Sequence, residues 1–559
     1  MSSFEETPLT KAEIGQLIAQ EDHLIGTAAN DLLLGTLRDN WIEGKEGNDR
    51  IYGKEGDDQL FGNEGDDQIY GGAGDDLLDG GSGTNYLDAG EGNNTIWATS
   101  GATEIIRAES GDDRLSNGGG SFIAYLGDGN NIVQASDSRA TIYTGSGNDE
   151  LTLSGSGEYF IYAGDGNNVI DSKALFGTTV YAGSGNDAVT ILAAGGPRGV
   201  FSTVYAGDGN NTIEVGTSNH MISGSGDDRI RASGTYNTIQ AGNGNNTITV
   251  QGGSAQITSG KGDDQIEALL SGTASEMGSI VLNAGDGNNK IQVMSARSEV
   301  YTGAGNDQIT VQAFSGSSII QSGDGENVIS INLNGDTTTR TGKDNDQITI
   351  ASVGGSHTID VGEGQNEVNV TQLTDGVATI YAGSGNDRIT LTQGSVYAED
   401  GNNIIVVTGK FADVYTGAGN DQITATTTGR ALVQAGDGEN QILTGAGDDL
   451  ITGGSGSDDI QAGGGTNTIY TGSGNNLLTI TGSDTVYANG NNRFLFAGGS
   501  ATIYGFTEQD RICLGSLKPS DLTLSQNGTD TLLTVTATNT QLATLKDVQP
   551  EAITSAQFC

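Results

Sequence analysis

Asp49, Asp58, Asp67 and Asp76 stand nine residues apart, each two residues after a glycine (Gly47, Gly56, Gly65, Gly74) and two before a large apolar residue (Ile51, Leu60, Ile69, Leu78). A carboxylate recurring beside glycines that can take positive φ offers hard oxygen ligands together with a backbone able to curl its carbonyls onto an ion. The chemistry this implies is the binding of a divalent cation.

The elements that must hold these carboxylates follow from the same period. From Gly26 to Trp97 eight nine-residue units run in unbroken phase, starting at Gly26, Gly35, Gly44, Gly53, Gly62, Gly71, Gly80 and Ala89. Each unit reads as a glycine-rich acidic turn followed by a short strand whose eighth residue points inward, so two units close one coil. Coils stacked as parallel strands repeat every ~4.8 Å, and half of that, ~2.4 Å, matches a calcium–oxygen distance and exceeds a magnesium one. The expected ion is calcium, several per chain.

These units resemble the RTX, or hemolysin-type, calcium-binding repeat GGxGxDxUx, in which U is large and apolar. The resemblance implies a flattened right-handed β-roll with alternate units on opposite edges, pairing Asp49 with Asp67 and Asp58 with Asp76. The units at Gly26 and Gly35 lack the fourth-position glycine and are not expected to form full sites. The resemblance further implies export by a type I, ABC-transporter-linked system that reads a C-terminal signal. Gly505 to Ile512 is similar to the segment that commonly follows such arrays.

After Trp97 the turn spacing lengthens to mostly 16–21 residues, as though one edge keeps its turn and the other loses it. Along the surviving edge the sixth position alternates between Asp (Asp113, Asp149, Asp187, Asp228, Asp264, Asp307, Asp346, Asp387, Asp421, Asp458) and Asn (from Asn131 to Asn440). In the Asn turns an acid usually occupies the third position instead: Asp128, Asp165, Asp208, Asp286, Asp324, Asp400 and Asp437. Near Thr444 the nine-residue phase returns and brings in Asp449. All these Asp residues are candidate calcium ligands, the third-position acids forming a second type. Two readings stay open for the middle: a calcium row fed by two kinds of carboxylate, or a hydrogen-bonded Asn/Asp ladder.

The pattern predicts an all-β parallel solenoid of about 25 coils, a rod of ~120 Å, and the resemblance implies that it is a right-handed β-roll or β-helix. Its divisions are an N-terminal cap (1–25), a two-edged roll (26–97), a one-edged solenoid (98–443), C-terminal coils (444–497) and a C-terminal β cap with the export region (498–559). Thr10 to Glu13 reads as a capping box, and Ile14, Leu17 and Ile18 as one face of a short helix that covers the first coil or docks a partner. Tyr143, Tyr162, Tyr181, Tyr205, Tyr301, Tyr381, Tyr397, Tyr415, Tyr470 and Tyr487 each precede a turn, either as a stacking ladder or as a glycan-binding or assembly stripe. Short strands are expected over 501–506, 510–514, 522–525, 531–536, 541–545 and 553–558. The two cysteines read as a buried thiol at Cys513 and a free, exposed one at Cys559.

Acidic residues outnumber basic ones 71 to 24, and the net charge of −47 opposes nucleic acid and anionic membrane surfaces. Membrane insertion is not expected, because no apolar run reaches the ~18 residues of a spanning helix. The three histidines are isolated, no protease, P-loop or hydrolase-elbow motif appears, and the third turn position lacks the Thr row of an ice-binding face. A chain so dominated by repeats resembles cyanobacterial surface proteins of the oscillin type. The expectation is a secreted, non-enzymatic calcium-binding protein of the cell surface or matrix that self-associates into a layer or filament. An adhesin binding cell-surface polysaccharide is the alternative.

Overall fold

The computed structural model describes residues 15–18 and 22–559, apart from 99–102, 137, 193–200, 217, 271–277, 315 and 372–373. The chain divides into two compact units, one running to Ala284 and the other from Gly285 to Cys559. Both are built from parallel strands, with about 26 coils between them.

In the first unit each coil contributes one short strand to each of two parallel rows. One row stacks Leu33, Ile51, Ile69, Leu87 and Ile106 in direct register, and the other stacks Ile42, Leu60, Leu78, Ile96 and Leu115. All ten side chains are fully buried. Alternation along each strand puts these residues inside and their neighbours outside, as the two-residue period of a strand requires. The second unit repeats the arrangement, with Ile291, Ile309, Ile329 and Ile348 in register.

Between strands the chain turns on glycines. In the unit Gly71 to Asp79 the second and fourth residues, Gly72 and Gly74, have φ of 123° and 139°. The fourth position carries a second demand, because coils stack backbone on backbone there: a Cβ at Gly65, where φ is 137°, would lie 1.8 Å from the carbonyl oxygen of Gly47. Neither conformation nor space accepts a side chain. Gly65→Ala is therefore expected to destabilise the calcium-loaded roll by well over ~1 kcal/mol, read as a lowered melting temperature.

Three expectations fail. Gly15–Ile18 is a strand paired with Asp31–Leu34, not part of a helix. Pairing with an open sheet edge outweighs the weak helical pattern there, and Thr10 to Glu13 lie outside the described residues. Secondly, residues 553–558 form no strand. Thr554 turns its backbone N–H and hydroxyl onto the Gln557 side chain, and Ser555–Gln557 closes as a 3-10 turn. Thirdly, Cys513 and Cys559 are not free thiols: they form a disulfide with Cα atoms 4.5 Å apart. The backbone brings them together, since Cys559 donates to the Ile512 carbonyl and Leu514 to that of Cys559. A 46-residue separation gives this bridge about 4 kcal/mol of loop-closure stabilisation.

The rest of the C-terminal cap matches its sequence. Leu522–Asn527 and Asp530–Val535 form a hairpin around Gly528, and Thr540–Leu545 joins it to the last parallel strand, Ser500–Tyr504. Among the described residues no helix is long and apolar enough to cross a membrane.

Candidate metal sites

Every turn is stitched to the next by side chains that cap backbone N–H groups. At the sixth position the Asp49 N–H donates to Oδ1 of Asp67 and the Asp58 N–H to Oδ1 of Asp76, both at 2.8 Å. The structure thus stacks these acids as the resemblance implied. One oxygen of each carboxylate is used in this way. The other, Oδ2, is buried without a hydrogen-bond partner in Asp49, Asp58, Asp67 and Asp76.

That second oxygen points into the gap between coils. A Cβ at Gly44 would lie 2.3 Å from Asp49 Oδ2 and 2.8 Å from the carbonyl oxygen of Gly62 in the next coil, and Gly53, Gly62 and Gly71 repeat the pattern. The first-position glycine keeps open a space in which a carboxylate and a carbonyl face each other with no donor between them. Facing acceptors in a dry gap repel and are costly unless a cation or a proton joins them. Burial accordingly pushes Asp67 and Asp76 up to about 7 and Asp49 and Asp58 to about 6, although the capping N–H groups pull the other way. All-oxygen, carbonyl-rich surroundings suit calcium. Among the described residues no three His, Cys, Asp or Glu side chains converge, so an ion here would depend on backbone carbonyls.

The single surviving edge continues the ladder. Oδ2 is also buried and unpartnered in Asp113, Asp149, Asp187 and Asp228 of the first unit and in Asp307, Asp346, Asp387, Asp421 and Asp458 of the second, and Asp449 shows the same on the opposite edge. Asp264 differs, because the Ser259 hydroxyl donates to its Oδ2 at 2.6 Å. At the ends of the ladder threonines do the same work. Thr27 donates its N–H and hydroxyl to Asp31, and Thr507 donates both to Asp510.

The third-position acids do not join the sixth-position carboxylates. Asp128, Asp165 and Asp208 lie exposed and accept the backbone N–H and hydroxyl of Ser146, Ser184 and Ser225 in the next coil. These bonds hold all three below the ordinary carboxylate value. Asp286, Asp324 and Asp400 cap the N–H of Ala304, Lys343 and Ala418, and Asp437 takes the Ser455 hydroxyl. Replacing Asp165, Asp208 and Asp286 together with Asn is therefore expected to leave the number of bound calcium ions unchanged, as counted by elemental analysis.

Two features were not anticipated. Asp484 is a further buried acid with an unpartnered Oδ2, pushed up to about 6 by burial. It sits in a shortened turn, and Gly482 two residues before it is the only sequence sign. The fifth position forms its own ladder, in which Asn48 accepts the Asp66 N–H and Asp57 that of Asp75, each at 2.8–2.9 Å.

Beside the turns the tyrosines stack. Tyr125, Tyr143, Tyr162, Tyr181 and Tyr205 have centroids 4.6–4.9 Å apart and planes within 8° of parallel, and shorter stacks run through Tyr381, Tyr397 and Tyr415 and through Tyr470, Tyr487 and Tyr504.

The family model for the RTX calcium-binding nonapeptide repeat matches residues 25–60, 34–69, 61–96, 125–156, 222–257, 283–315, 374–405, 426–460 and 443–478. No curated protein matches the chain. Because those matches recur from the two-edged roll to the last coils, and turns beneath them present carboxylate and carbonyl oxygens, this chain carries RTX calcium-binding repeats whose ligand is calcium, several ions of it.

Proposed function

We propose that the protein is a secreted structural component of the cell surface or extracellular matrix, one that folds on calcium and associates with copies of itself into a layer or filament. The observation that carries this reading is that, among the described residues, a single supersecondary unit recurs nearly throughout and presents its outer faces as broad surfaces. We assign it no catalytic activity. The Cys513–Cys559 bridge suits an oxidising compartment. The charge of −47 keeps calcium-free chains apart and disfavours nucleic acid and anionic membranes, and calcium removes part of that repulsion.

The rival reading, an adhesin for polysaccharide, would use the tyrosine edge. Sugars stack on aromatic faces, yet here most of the tyrosine faces in the row are spent on each other. Electron microscopy of the purified protein should show ordered assemblies with calcium and none after chelation. Dispersed particles in both conditions, with glycan binding lost on Tyr→Ala, would favour the adhesin instead.

Export follows from the same reading. A chain kept loose where calcium is scarce can thread a type I transporter and fold outside. Deleting residues 498–559 should trap it in the cell while the repeats still bind calcium in vitro; undiminished secretion of the truncated chain would remove the transporter from the account.

A further inference from the structure

We propose that the sixth-position residue sets, turn by turn, what fills the gap to the next coil: a calcium ion where it is Asp and no hydroxyl already supplies a donor, and the residue's own amide where it is Asn. The Asn turns are sites that carry a built-in substitute for the metal.

The two residue types are held identically through one atom. Oδ1 of Asn131 accepts the Asp113 N–H, just as Oδ1 of Asp149 accepts that of Asn131. A backbone N–H can only donate, so the side-chain atom facing it must be oxygen and the amide of Asn131 must face the gap. There Nδ2 donates to the carbonyls of Gly127 and Gly129, the second and fourth residues of its own turn, at 3.3 and 3.2 Å. It also donates to the first-position carbonyl of the next coil, Thr144, at 2.9 Å. Asn168 repeats this with Gly164, Gly166 and Ala182. In the second unit Asn327 donates to Gly323 and Gly325 at 3.1 and 2.8 Å.

The first-position carbonyl of the next coil is also the group that faces Oδ2 in Asp turns, as Gly62 faces Asp49 and Thr471 faces Asp458. One atom therefore decides the sign of the gap. With nitrogen, a donor meets converging carbonyls and the gap is closed and neutral. With oxygen and an alanine or glycine at the first position, as at Asp113, Asp187, Asp387 and Asp458, the carboxylate and carbonyl remain facing acceptors and the buried Oδ2 has nothing to bond. Where the first position is Ser or Thr its hydroxyl donates to that carbonyl, as Thr144 does to Ala163 and Ser223 to Ala241. The rule then places calcium in those Asp gaps of the one-edged middle that hold no first-position hydroxyl, the gaps of Asp113, Asp187 and Asp387, whereas the two-edged roll, where Asp stacks directly on Asp, takes ions in successive gaps. Asp31, Asp264 and Asp510 are exceptions that the same rule predicts, because a threonine or serine already supplies their donors.

The test swaps the atom in both directions in the full chain. Asn131→Asp with Asn168→Asp should add one bound calcium per substituted turn, by elemental analysis after dialysis against buffered calcium, and should lower the melting temperature in chelator. Asp187→Asn with Asp387→Asn should remove one ion per turn and raise that melting temperature. Should the first variant fail to fold in chelator, its calcium count after refolding into calcium still applies, and the second variant stands independently. An unchanged calcium count in either pair would overturn the proposal, as would an Asp→Asn chain that melts lower than the parent without calcium.

Discussion

Chelating calcium is expected to unfold at least the stretch from Gly44 to Asn94. Here acids stack on acids along both edges, and each buried Oδ2 faces a carbonyl across a gap that only a cation or proton can bridge. The coils of this stretch have no other large source of stability, since each is a thin layer whose apolar ladder is complete only when its neighbours are in place. Binding energy realised only in the stacked state becomes folding energy. The half-effect should fall near the ~10⁻⁴–10⁻³ M typical of extracellular calcium modules. The chain carries its own reporter, because its two tryptophans, Trp41 and Trp97, stand one just before this stretch and one just after it. Their emission should shift as the stretch opens, with a matching loss of strand signal in circular dichroism. A spectrum unmoved by exhaustive chelation would refute the dependence.

The second large effect is a reversal with pH. Burial raises Asp67 and Asp76 to about 7 and Asp49 and Asp58 to about 6 in the calcium-free fold, against an ordinary value near 4 when unfolded. The folded state therefore binds more protons than the unfolded one between those limits. The stability they contribute is fully present below the unfolded value and is lost as pH rises through the folded values. In chelator the roll should stand at pH 5 and fall apart by pH 8, each carboxyl being worth on the order of a few kcal/mol. With calcium present the trend inverts, because protons then compete with the metal. A chelated protein that is as stable at pH 8 as at pH 5 would contradict this.

Much of this could be read before any coordinates existed, and the reason is periodicity. A nine-residue phase ties the inward position of Ile51 or Leu60 to the turn position of Asp49 or Asp58, so one reading places both core and ligand. Where the period slackened, reading failed. Asp484 escaped because its turn is short and lacks the glycine pair that announces the others. The placing of the third-position acids was not legible, because spacing reveals which residues recur together but not which way a side chain faces. Asp165 and Asp187 recur one coil apart, yet one lies exposed against Ser184 while the other is buried against Asn211. The disulfide was hidden for a similar reason, since Cys513 and Cys559 meet only after the cap has folded. Gly15–Ile18 shows the limit of local pattern, where an open strand edge recruits residues that read as helical.

The fifth- and sixth-position ladders would age in opposite ways. Asparagine hydrolyses slowly to aspartate in long-lived proteins. The fifth-position ladder already mixes the two, with Asn48 and Asp57 making the same bond through the oxygen that both possess. Hydrolysis there adds charge and leaves the backbone bond in place. At Asn131 or Asn168 the same reaction replaces a donor with an acceptor and opens a gap that had been closed. An old molecule would thus hold its coils together less well where calcium is scarce and bind more of the ion where it is plentiful, so that the record of its age would be written in its appetite for calcium.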